Sequence, residues 1–258
     1  MSQADGSSAT ATPSEDIGLQ AAAGGGWRDR VLVPAIVLAP VVLAVVLTAA
    51  GIVAIAGWHM ARGVFFAMPS GANIQFYGQA SYVVACWIAV AAAWLWSSRR
   101  GLRGEVFRFH RLTWPALLAA IAGFVIALYG VPVVTQWLSH WTGGRGPQVR
   151  INFHDAQSIA IYVALFVVTA PLCEEILYRG LLVGWLRRVG WNDFTVWLTG
   201  SLLFGANHWI PLGFVWSVAM VGFGAILFAL RLRYGSLTPA WLAHILFNAQ
   251  PFLIFPLI

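Results

Sequence analysis

Apolar and polar positions alternate along the chain in long blocks. Seven blocks are dominated by apolar residues, at 31–58, 78–96, 114–138, 156–186, 194–210, 213–230 and 237–256, and short polar joints separate them. A helix needs about 17–25 apolar residues to cross a hydrocarbon core of about 30 Å. Lipid tails cannot satisfy a backbone N–H or C=O, so segments of this length are expected as helices. The pattern predicts an all-α, polytopic membrane bundle of about seven transmembrane helices. The fifth and sixth blocks are nearly continuous across Pro211-Leu212-Gly213. The fourth block is the longest and is expected to bend near Pro171. Prolines 34, 40, 132 and 251 mark further kink positions, which membrane helices tolerate. Residues 59–77 fit either an external loop or a short re-entrant piece.

Three units follow. Residues 1–27 are rich in Ser, Ala, Thr and Gly without an apolar period, and are expected to be a disordered cytoplasmic tail. They lack the early basic residues of a secretory signal, so the first helix is read as uncleaved. Residues 28–155 hold three membrane helices, and 156–258 hold the chemistry-bearing membrane core. All fifteen basic residues are arginine. With the N-terminus inside, eleven of them lie in cytoplasmic segments and three (Arg62, Arg145 and Arg150) in external ones. That asymmetry predicts a multi-pass protein of the cell (inner or plasma) membrane with a cytoplasmic N-terminus.

Composition agrees with this picture. Hydrophobic residues make up 60% of the chain and charged residues 9%, where soluble domains carry about 25% charged. The net charge of +6 is explained by arginines flanking the apolar blocks, so the lipid bilayer is the expected partner and nucleic acid is not. Cys86 and Cys173 both fall inside apolar blocks, which argues against a disulfide scaffold. Cys173 precedes Glu174 but has no cationic neighbour expected to activate its thiol, and it is read as a packing residue.

Chemistry concentrates where the apolar pattern is broken. Glu174, Glu175 and Arg179 sit in the middle of the fourth block. At about 2.5–3.5 kcal/mol per charge at a helix centre, three charges cost roughly 8–10 kcal/mol of insertion energy. Ionisable groups at that depth are functional-site candidates by default. Residues four apart share a helix face, so Glu175 and Arg179 can pair, leaving Glu174 about a third of a turn away to face a cavity. Two further polar sets stand at the same spacing: Phe204-x-x-x-His208 ends the fifth block, and His244-x-x-x-Asn248 lies within the seventh. Each set alone also reads as an ion pair or an interhelical hydrogen bond. Together they offer a carboxylate, two imidazoles and an amide where bulk water is scarce. That is one role each for a hydrolase: Glu174 and His208 to hold and deprotonate a water, His244 and Asn248 to donate to the oxyanion.

The ordered set Glu-Glu-x-x-x-Arg, Phe-x-x-x-His and His-x-x-x-Asn on successive membrane helices resembles the CPBP family. That family includes the Abi-type bacterial proteins and the CAAX prenyl endopeptidases of the Ras-converting type. The resemblance covers roughly residues 156–256, and the first three helices carry no recognisable family motif. It implies an intramembrane endopeptidase acting on a membrane-associated, CAAX-type peptide or protein substrate. By similarity, Glu174 is the base, His208 its partner, and His244 with Asn248 the oxyanion stabilisers, while Glu175, Arg179 and Phe204 are supporting.

Other chemistries fit the sequence less well. Glu174, His208 and His244 are an adequate zinc-ligand set in principle. The His-Glu-x-x-His helix of zinc peptidases is absent, so a metal-free mechanism without cofactor is expected. A Gly-x-Ser-x-Gly elbow is missing, and Asp155 and Asp193 sit at block ends rather than inside them, against an aspartyl dyad. The alternative from another class is a non-proteolytic membrane binding, immunity or scaffold protein of the same family. A proton-coupled transporter using Glu174 is a third, weakened by the lack of an internal repeat.

Overall fold

The computed structural model describes residues 27–63, 71–143 and 156–254. The expected tail, except Trp27, and the centre of the 59–77 stretch lie outside these residues. Among the described residues every regular element is helical, and five helices are long and apolar enough to cross a membrane. The protein is an all-α polytopic helix bundle.

Helix α1 (Trp27–Ala61) and helix α2 (Gly71–Arg99) pack against each other. A polar latch fixes the start of α1 against the end of α2. The buried Asp29 carboxylate accepts from Trp96 Nε1 at 3.1 Å and from Arg100 Nη2 at 2.7 Å. A one-turn helix α3 (Arg103–Val106) follows, then α4 (Trp114–Thr142), which starts with Pro115 in its first turn, where a missing N–H is harmless. It ends at Gly143, whose φ of 65° is the left-handed conformation that glycine adopts without a Cβ penalty. Val42, Val45 and Val46 on α1, and Leu118, Ile126 and Val133 on α4, are exposed. Such apolar faces belong in lipid.

The fourth block is one unbroken helical run with two wider π segments. It comprises α5 (Ala156–Tyr162), π1 (Val163–Thr169), α6 (Ala170–Glu174), π2 (Glu175–Leu182) and α7 (Val183–Arg188). Pro171 opens the short α turn between the π segments. The wider register of a π turn is one way a helix accommodates a lost hydrogen bond. The fifth block gives α8 (Asp193–Asn207), capped by Asn192 Oδ1 accepting from Thr195 N, and the four-residue α9 (Trp209–Leu212). Helix α10 (Phe214–Tyr234) forms the centre of the core, against α8, α4 and α11 (Thr238–Asn248); α12 (Gln250–Ile254) closes the described chain.

The expected count of seven spans meets five long helices. Blocks five and seven form helices of 15 and 11 residues, each followed by a break and a short second piece. At 1.5 Å per residue, 15 residues reach only about 22 Å. Small residues let α8 lie tight on α10: a Cβ at Gly200 would overlap the Phe228 ring, and one at Gly205 would overlap Val221 and the Ser217 carbonyl.

Candidate active site

The site is built where α6 passes into π2. Glu174 ends the α turn and Glu175 begins the π segment, so both carboxylates leave the same run of backbone. Helix α2 approaches from one side, and α8, α10 and α11 bring the remaining groups.

Glu175 and Arg179 are completely buried, with Glu175 Oε1 3.4 Å from Arg179 Nη1. The same oxygen accepts from His244 Nδ1 at 2.9 Å. A carboxylate only accepts, so Nδ1 carries a proton and Nε2 is the ring nitrogen left to face other groups. That Nε2 lies 3.9 Å from Glu174 Oε2, too far for a hydrogen bond but close enough for one water to bridge. Glu174 Oε2 is buried and, among the described residues, has no hydrogen-bond partner. Its other oxygen, Oε1, accepts from Tyr82 Oη at 2.9 Å.

Arg179 is enclosed by aromatic rings and one backbone carbonyl, while its Nε and Nη1 have no hydrogen-bond partner among the described residues. Its guanidinium carbon lies 4.2 Å from the Phe204 ring centroid and 4.4 Å from that of Phe228, and Nη2 donates to the Gly224 carbonyl at 3.3 Å. A desolvated cation between aromatic faces gains about 2 kcal/mol or more. Phe204 also meets Tyr178, His208 and His244 edge-on or tilted, at centroid distances of 5.3, 4.7 and 6.1 Å. It is the ring that Arg179 and the two histidines share.

His208 and Asn248 stand at the margins. His208 Nδ1 donates to the Phe204 carbonyl at 2.6 Å, one helical turn back, which leaves Nε2 as the acceptor nitrogen. Asn248 Nδ2 donates to the Phe166 carbonyl in π1 at 2.8 Å, and its second N–H is not used in that bond. Glu174, Glu175, Arg179, Phe204 and His244 thus form one contact cluster. Among the described residues, no hydrogen bond or ion pair joins Glu174 to His208 or to Asn248. The set Glu174, His208 and His244 does not gather as metal ligands: among the described residues no three His, Cys, Asp or Glu side chains are grouped to hold an ion. Cys173 is buried in the core.

Three contributors were not foreseen. Tyr82 comes from α2, in the half of the chain without a recognised motif. Arg231, counted among the cytoplasmic arginines, is fully buried: Nε donates to the Arg179 carbonyl at 2.9 Å, and Nη2 to Glu105 Oε1 at 2.7 Å. Glu105 lies on α3, whose Val106 carbonyl takes the space where a Cβ at Gly180 would stand. Glu105, as a lone acid among the arginines of 99–111, was the available signal.

The sequence model of one protein family, described as type II CAAX prenyl endopeptidase Rce1-like, matches residues 156–250. This segment is a CAAX-protease domain. It contains every residue of the three motifs, from Glu174 to Asn248, and it agrees with the family resemblance drawn from those motifs. The match starts at α5, so α1, α2, α3 and α4 lie outside it. Comparison with curated proteins and with solved structures gives no match.

Proposed function

We propose that the chain is an intramembrane endopeptidase that hydrolyses a peptide bond of a membrane-associated, CAAX-type substrate with a water activated by Glu174 and His208. The CAAX-protease match supports the general activity. The observation that carries the mechanism is the buried, unpartnered Glu174 Oε2, 3.9 Å from His244 Nε2. An acceptor-only oxygen in that position is suited to take a proton from water.

In the proposed cycle, water is held at Glu174 Oε2 with His208 Nε2 as second acceptor. Its oxygen attacks the scissile carbonyl carbon while its proton passes to Glu174. The oxyanion is met by the second N–H of Asn248 and by His244 protonated at Nε2, whose charge then faces Glu175. Collapse breaks the C–N bond, and Glu174 returns the proton to the leaving amine. Arg179, seated on the Phe204 ring, holds Glu175, and through it the His244 ring. Arg187 and Arg188 close the same helical run, which by the positive-inside rule puts the reaction in the cytoplasmic half of the bilayer.

The test is cleavage of a fluorogenic farnesylated CAAX peptide, and of its unprenylated form, by the purified protein in lipid nanodiscs. Wild type is expected to cleave the farnesylated peptide, while Glu174→Gln and His208→Ala stay folded and inactive. Cleavage that survives Glu174→Gln overturns the mechanism. Folded wild type without cleavage of either peptide favours the non-proteolytic alternative.

A further inference from the structure

We infer that Tyr82 is a positioning residue for the base, an inference that rests on Glu174 acting as proposed. Glu174 has two chemically equivalent oxygens and two ways to turn them. Tyr82 Oη donates to Oε1 at 2.9 Å and, among the described residues, is the one hydrogen-bond donor on this carboxylate. With Oε1 occupied, Oε2 is the oxygen turned toward His244 Nε2. The tyrosine thus differentiates the two oxygens: one anchored, one left for water.

The geometry favours this over simple satisfaction of a tyrosine hydroxyl. Tyr82 is half-buried as a residue with its hydroxyl turned inward onto the buried Glu174, a neutral donor against a charged acceptor. Of the two, the carboxylate has more to lose from being left without a donor. The contact also bridges sequence positions 92 apart and joins α2 to α6, two helices already packed together. Cys86, one turn further along α2, is buried at the same interface and offers no competing strong donor. Tyr82 lies outside the matched residues 156–250, so the N-terminal helices contribute a polar group to the site as well as packing.

The experiment compares Tyr82→Phe with wild type on the farnesylated peptide, with thermal unfolding measured for each and each assayed well below its own Tm. The variant deletes one oxygen and keeps the ring. A positioning role predicts kcat lower by about tenfold or more, the rate equivalent of one hydrogen bond to a charged group, with KM unchanged. A fall of less than fivefold in kcat overturns it. A change confined to KM also overturns it, since the tyrosine would then be contacting substrate. Assaying below each Tm reads the loss per folded molecule, so a structural effect alone leaves kcat intact. Glu174→Gln separates the two levels of failure: if it too cleaves normally, the base assignment falls; if it is dead while Tyr82→Phe is normal, only the tyrosine inference falls.

Discussion

Replacing Glu175 with alanine removes the one acceptor shared by a buried guanidinium and a buried imidazole. Glu175 Oε1 receives His244 Nδ1 at 2.9 Å and lies 3.4 Å from Arg179 Nη1, and neither Glu175 nor Arg179 has any exposed side-chain surface. Removing one partner of a buried ion pair costs about 3–5 kcal/mol, because an uncompensated charge stays behind. Arg179 keeps the Gly224 carbonyl and its two aromatic neighbours, which places the expected loss at the lower end. At about 2–4 °C per kcal/mol for a chain of this size, Tm should fall by roughly 6–12 °C. Thermal unfolding in detergent measures it. The double variant Glu175→Ala with Arg179→Met removes both charges and should recover much of the loss, giving a coupling energy well above 0.5 kcal/mol in a double-mutant cycle. If the single variant shifts Tm by less than about 2 °C, or the two substitutions simply add, the paired-charge account of this cluster is wrong.

Asn248→Ala should lower kcat by about 10²–10³, the worth of one oxyanion donor, while freeing only the Phe166 carbonyl and so changing stability by no more than about 1.5 kcal/mol. A wild-type kcat would remove it from the reaction. Gly180→Ala should destabilise by about 1–3 kcal/mol, since the new methyl meets the Val106 carbonyl. Gly222→Ala, on an exposed face of α10 with nothing within 4 Å, should instead stabilise by about 0.5–1 kcal/mol. Equal responses of the two glycines in thermal unfolding would contradict the packing described. Dialysis against a chelator should leave peptide cleavage unchanged, because the site's donors do not gather into a three-ligand set. Loss of activity that zinc alone restores would reverse that expectation.

The motifs were readable because helical spacing is a local property. Glu175 and Arg179, four apart, do pair, even though the turn carrying them is π rather than α. The membrane architecture was readable for the same reason, since long apolar blocks leave a helix few alternatives. What spacing could not supply was partners across the bundle. Tyr82 stands in α2 with nothing at helical distance to mark it, and its meeting with Glu174 depends on how two helices are rotated about their axes. Arg231 and Arg233 look alike at the end of an apolar run, yet Arg231 is buried against the Arg179 carbonyl. Asp29 likewise reads as a flanking charge and proves to be a buried latch. The short fifth and seventh helices were hidden because hydropathy continues through the breaks after Asn207 and Asn248, where the backbone alone changes course.

The close seating of Val106 against Gly180 also has a practical side for protein engineers. A reporter or epitope spliced between residues 103 and 109 would wedge apart the very joint that supports the acidic pair. The Gly190 turn, reached after α7 has ended, has open space around its Cα and is the more forgiving place for such a graft.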